Sequence, residues 1–170
     1  SYDRSLGGAI YSDSNSVIFN GLCLDNCYAS DYGQSIYLLD SESHLEFITI
    51  TQCGIGSTSS FVSEVVSVSG TTSIRNLNST GNSVKIHAAG ICYTKTTSVC
   101  SLQIIYSSFV GDTGNSIIDV SSGADDTISF TNFVSNIPNR ADATCALIFI
   151  YGLNTQPIFN QCYFKLNSFL

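Results

Sequence analysis

The chain contains no tryptophan and no methionine, two prolines, and only 11% charged residues. An average soluble domain is about 25% charged, so solubility here must rest on other groups. Ser, Thr and Asn, at 28, 14 and 13 residues, provide them. These side chains compete with a helix backbone for hydrogen bonds, which favours short strands and polar turns over helices. Disorder is excluded because Ile, Val, Leu, Phe and Tyr recur in every segment. Positive charge is scarcer still: Arg4, Arg75, Lys85, Lys95, Arg140 and Lys165 are scattered singly in a chain of net charge −7. That leaves no clustered basic footprint for nucleic acid, and it disfavours an anionic membrane surface. The longest apolar stretch, around Ala146–Tyr151, falls far short of the roughly 18 residues that a membrane helix requires, so no direct membrane insertion is expected.

Seven cysteines (Cys23, Cys27, Cys53, Cys92, Cys100, Cys145, Cys162) form no CxxC pair and no Cys/His set with zinc spacing. No metal or other cofactor is expected. Cys92 and Cys100 flank a short loop and are the candidate disulfide pair. Asn78-Ser79-Thr80 is the single N-glycosylation acceptor triplet, so Asn78 is a candidate modification site. Cysteine number and this triplet point to an oxidising, extracellular or cell-surface setting.

Internal repetition organises the sequence. A small residue followed by apolar ones recurs at Gly8-Ala9-Ile10-Tyr11, Gln34-Ser35-Ile36-Tyr37, Ser63-Glu64-Val65-Val66, Ala89-Gly90-Ile91-Cys92, Asn115-Ser116-Ile117-Ile118 and Cys145-Ala146-Leu147-Ile148. Taking Ile10, Ile36, Val65, Ile91, Ile117 and Leu147 as anchors gives spacings of 26, 29, 26, 26 and 30 residues. Between them lies a second motif, an apolar residue followed three positions later by a small polar residue or cysteine. Its instances read as Leu24…Cys27, Ile50…Cys53, Leu77…Thr80, Phe109…Asp112, Phe133…Asn136 and Phe164…Asn167. A period of 26 to 30 residues with short strands and no helical phase indicates a β-solenoid. The Leu-x-x-Leu-x-Leu core of leucine-rich repeats is absent, as is the 3.6-residue periodicity of helical repeats. The expected fold is all-β: a single-stranded, right-handed parallel β-helix of pectin-lyase-like type, with about six coils and one domain over residues 1–170. With no initiator Met, no signal segment and no cap at either end, the chain reads as an excerpt of a longer solenoid. Anchors are expected to stack in one inward ladder, Phe109, Phe133 and Phe164 in a second, and Tyr11 on Tyr37. Cys27 and Cys53, one period apart, are expected as neighbours in adjacent coils, as a thiol pair rather than a bond, because parallel stacking holds Cβ atoms wider than the ~3.8 Å a disulfide prefers.

Gly7-Gly8-Ala9-Ile10 resembles the GGA[I/L] half of the repeat in polymorphic-membrane-protein and autotransporter-type adhesins. Phe133-Val134-Ser135-Asn136 and Phe164-Lys165-Leu166-Asn167 resemble its FxxN half. The Cys, Ser and Asn content is similar to that of large protist surface-protein families built on the same repeat. This resemblance implies a β-helical stalk or passenger displayed outside a cell, with a host-surface protein or glycan as partner.

Catalytic readings find less support. His44 and His87 have no carboxylate or cysteine at ligand spacing and read as solvent-facing. Asp125-Asp126, the acidic pair, follows Ser121-Ser122-Gly123 and reads as a solvated turn. Polysaccharide hydrolases of this fold carry Asn-Thr-Asp, Gly-His-Gly and Arg-Ile-Lys segments that are absent here. The expectation is a non-enzymatic surface or secreted module for adhesion or cell-surface structure. A carbohydrate-active β-helix enzyme (a lyase or hydrolase) and a self-associating filament or coat protein are the alternatives, the last because open solenoid ends present unpaired strands.

Overall fold

The computed structural model describes residues 8–29, 33–39, 42–54, 65–67, 70–84, 88–94, 101–121, 126–139, 146–151 and 157–168, with 65–67 and 92–94 described as backbone. Among them there are seventeen strands and no helix. The first coils each carry a short strand and a long one: β1 (Ile10–Ser12) and β2 (Val17–Asp25), β3 (Ile36–Leu38) and β4 (Glu42–Thr51), β5 (Val65–Ser67) and β6 (Thr71–Thr80). Further along, the long strand divides. β7 (Ala88–Thr94) is followed by β8 (Leu102–Ile105) and β9 (Ser108–Val110), then by the two-residue β10 (Thr113–Gly114). β11 (Ser116–Ser121), β12 (Thr127–Ser129), β13 (Asn132–Val134) and β14 (Ile137–Pro138) repeat the arrangement. β15 (Ile148–Tyr151), β16 (Ile158–Asn160) and β17 (Tyr163–Lys165) repeat it again.

All pairings are parallel, and each strand pairs with its copy one repeat away. One sheet runs β1-β3-β5-β7-β11-β15; a second begins with β2, β4 and β6 and then forks into β8-β12-β16 and β9-β13-β17; β10 pairs with β14. The molecule is a β-solenoid. Apolar residues with branched or ring side chains suit such strands, and stacking equivalent positions about 4.8 Å apart turns them into ladders. One inward ladder is Phe19-Leu45-Ile74-Ile104-Ile128-Phe159. Another ends in Phe109-Phe133-Phe164, whose rings stack at 5.3 and 5.0 Å. Fully burying such a side chain, as at Leu45, Ile74, Ile104, Phe109 and Phe133, stabilises the fold by about 1.5–3 kcal/mol. The expected second Phe ladder is present, and Tyr11 lies on Tyr37 with ring centroids 5.9 Å apart.

Two register assignments need correction. Ile10, Ile36, Val65 and Ile91 stack as expected, but their continuation is Ile118 and Ile148, not Ile117 and Leu147. The cause is a bulge. Ser116 pairs with Ala88 while Ile118 pairs with Ile91, so β7 spends one residue more than β11. The N–H groups of both Ile117 and Ile118 accordingly converge on the Leu147 carbonyl. Second, Ile50 pairs with Ser79, and Ser79 with Phe109. The motif between them is therefore Ser79…Asn82, two residues beyond Leu77…Thr80. A shift of two keeps the same face of the strand, so Leu77 is still buried, but on a different ladder.

Candidate functional site

Three positions after the Phe ladder, Cys27, Cys53, Asn82, Asp112, Asn136 and Asn167 form a polar ladder inside the coil stack. Each main-chain N–H is accepted by the side chain one coil further on. The bonds are Cys27 N–H to Cys53 Sγ (3.2 Å), Cys53 to Asn82 Oδ1 (2.9 Å), Asn82 to Asp112 Oδ1 (2.8 Å), Asp112 to Asn136 Oδ1 (3.0 Å) and Asn136 to Asn167 Oδ1 (2.9 Å). The amide nitrogens of Asn82, Asn136 and Asn167 donate to the Ile50, Phe109 and Phe133 carbonyls of the preceding coil. Buried main-chain groups that the corners remove from the sheets are thus satisfied by side chains. Cys27 and Cys53 are the direct neighbours their spacing predicted, and their S–H groups point to the Asp25 and Thr51 carbonyls.

Asp112 departs from the asparagine pattern. It lacks an Nδ2 donor, and in its place the Ser79 hydroxyl donates to Oδ2 at 2.7 Å while accepting from Asn82 Nδ2 at 2.8 Å. Burial pushes the Asp112 carboxyl up to about 7, against opposing hydrogen bonds from Ser79 and Asn82. Such a value suits an acid–base catalyst. However, Asp112 is fully buried, and its oxygens face Ser79 and Asn82 in the coil interior, where no substrate reaches. Its role is structural, and sequence reading could not separate it from the asparagines around it.

Two rows of left-handed residues precede this ladder, one by a single residue and the other by six. Asn26, Gln52, Gly81, Gly111, Ser135 and Leu166 form one, with φ between 51° and 66°. Gly21, Phe47, Asn76, Tyr106, Phe130 and Gln161 form the other, with φ between 51° and 73°. They turn the chain at two corners of every coil. Bulky residues seldom adopt this conformation, yet the second row places aromatics there with their rings outward. Phe47, Tyr106 and Phe130 are 55%, 52% and 39% exposed. The Tyr106 and Phe130 rings stack at 5.0 Å, and the Arg75 guanidinium lies 6.0 Å from the Tyr106 centroid. Which way these corner rings turn was not legible in the sequence, because neither motif includes the corner.

Asn78 lies on β6, exposed, between Thr49 and Ser108 of the neighbouring coils. Ser79 turns inward, and Thr80 Oγ1 donates to Asn78 Oδ1 at 3.4 Å. Cys92 lies on β7, but its side chain and all of Cys100 fall outside the described residues, as do His87 and Asp125. His44 is on the solvent face as expected, 3.0 Å from Glu42. Asp126 is not in a solvated turn. It is buried, and its Oδ1 accepts the Leu102 N–H at 2.9 Å, again a side chain capping the preceding coil. Among the described residues no three His, Cys, Asp or Glu side chains gather as a metal-binding group. No protein-family model, curated protein or solved structure matches this chain.

Proposed function

We propose that this chain is a non-enzymatic module of a secreted or surface-displayed right-handed β-helix of about six coils, serving adhesion or cell-surface structure. One observation carries the reading: the buried Asn82, Asp112 and Asn136, with the half-buried Asn167, are engaged in fixing one coil on the next. Asp112 and Asp126, the acids buried among the described residues, face main chain and neighbouring ladder groups. A stack fixed in this way is a stiff spacer. Its outward rows, such as Thr49-Asn78-Ser108-Asn132, present hydroxyls and amides to solvent. A host-surface protein or glycan is the corresponding partner. The test is antibody labelling of source cells before and after permeabilisation, with binding of the purified chain to target cells. Surface labelling and saturable binding are expected; labelling only after permeabilisation would overturn the proposal.

A further inference from the structure

We propose that Asn78 carries an N-linked glycan whose first sugar packs between Phe47 and Tyr106, covering the exposed aromatic corner; this rests on the extracellular route of the display reading. The acceptor chemistry is in place. Asn78 is exposed, Thr80 lies on the same outward side with its hydroxyl on the Asn78 carboxamide, and Ser79 between them is buried. A second, independent observation comes from the corner row. Its order is Phe47, Asn76, Tyr106, Phe130, so the aromatic series is interrupted by one small polar residue. That interruption falls in the coil that bears Asn78, two residues along the same strand.

Asn76 therefore sets a small polar side chain, not a ring, between the two flanking aromatics, one coil before and one coil after. Each ring is about half exposed, in a backbone region that disfavours large side chains. Exposed rings in a disfavoured backbone conformation carry two costs at once. The coil after holds the far side of the slot firmly, since Phe130 stacks on Tyr106. Arg75, whose guanidinium lies 6.0 Å from the Tyr106 centroid, is exposed, and the sugar takes its place over that ring. The C–H face of a pyranose matches an aromatic ring, while Thr49 and Ser108 beside Asn78 offer hydroxyls to its polar edge. Neighbouring coils are about 4.8 Å apart, so Phe47 and Tyr106 stand roughly two such spacings apart, about the separation needed for one sugar ring between two aromatic faces. In forming the link, the Asn78 amide nitrogen bonds to C1 of the sugar and loses a proton. The pyrophosphate of a lipid-linked oligosaccharide donor leaves C1 with its bonding pair, and nothing is oxidised or reduced.

The test is to secrete the full chain from a eukaryotic host and map the glycopeptide by mass spectrometry. Expected are occupancy at Asn78, lost in Asn78→Gln and in Thr80→Ala, and a thermal midpoint about 2–4 °C above that of Asn78→Gln. In a Phe47→Ser/Tyr106→Ser background, which leaves the core intact because both rings are exposed, that difference should vanish while occupancy persists. A secreted chain with Asn78 unmodified overturns this inference and leaves the display reading standing. An undiminished midpoint difference in the double variant overturns the packing. Cytosolic retention in source cells overturns both.

Discussion

Asn82, Asp112 and Asn136 do the same work in successive coils, yet Asp112 alone can lose a proton. Its pKa of about 7 in the folded chain, against an ordinary 3.8, means that burial opposes the charged form. A group raised on folding contributes stability that is complete below about pH 4 and is lost as pH climbs to 7. The slope is about 1.4 kcal/mol per pH unit, on the order of 4 kcal/mol in all. Asp112→Asn is isosteric, keeps the acceptor for the Asn82 N–H and adds a donor toward Ser79. We expect it to stabilise the chain at pH 7 and to flatten the stability profile between pH 4 and 7. Urea unfolding at a series of pH values measures both; a profile as steep as that of the parent would refute the assignment. On the neighbouring ladder, Phe133 is fully buried between the rings of Phe109 and Phe164. Phe133→Ala should cost about 3–5 kcal/mol, read from the same unfolding curves.

For the strands, the corners matter more than the interiors. Gly81 and Gly111 occupy left-handed corner positions, and a Cβ added at either would meet no atom within 4 Å. Gly81→Ala or Gly111→Ala should therefore cost only the backbone term, roughly 1 kcal/mol, with no change in the core. Gly90 is constrained differently: an added Cβ would sit 2.6 Å from the Phe109 ring and 2.8 Å from the Ile117 carbonyl. Gly90→Ala should cost more, about 1–3 kcal/mol through overpacking, and Phe109→Leu should offset part of it. Thermal midpoints of the single and double variants separate the two mechanisms. The small residue that precedes five of the six anchors is thus a packing requirement at Gly90. It misled the register beyond Ile91, because the Ala89–Gly90 bulge is a conformational event that leaves no fixed residue type behind.

At the scale of the whole molecule, inward members of the aliphatic and Phe ladders described with a coil on both sides, such as Ile36, Ile74, Phe109 and Phe133, are buried. Phe133 is fully buried, but Phe164 of the same ladder is 51% exposed, and Leu166 and Ile158 are 73% and 53% exposed. These residues border the β16–β17 edge, where main-chain groups and apolar side chains are presented together, a combination that recruits further strands. The isolated 170-residue chain should associate through this edge as concentration rises. Phe164→Lys with Leu166→Lys should suppress that association without altering the interior coils. Sedimentation velocity over a concentration series decides it, and a parent chain that stays monomeric throughout would refute the edge as an association site.

Sequence alone determined the class of fold and most of its register, because a solenoid repeats the same physical demand in every coil. An aliphatic residue facing inward, a ring stacked on its copy and a turn residue at each corner leave a period that can be counted. Ile10 over Ile36, Tyr11 over Tyr37, Phe133 between Phe109 and Phe164, and Cys27 beside Cys53 were all legible in that way. Tertiary structure decided what depends on offsets between coils. The bulge at Ala89–Gly90 moved the anchors to Ile118 and Ile148, and Ser79 took the ring position, where its hydroxyl donates to Asp112 of the next coil. It also decided exposure: Asp126 is a buried cap, and Phe47 and Tyr106 face solvent. A linear sequence does not encode directly which side chain a corner turns outward, because that direction follows from a left-handed φ that Gly, Asn, Phe and Tyr adopt here alike.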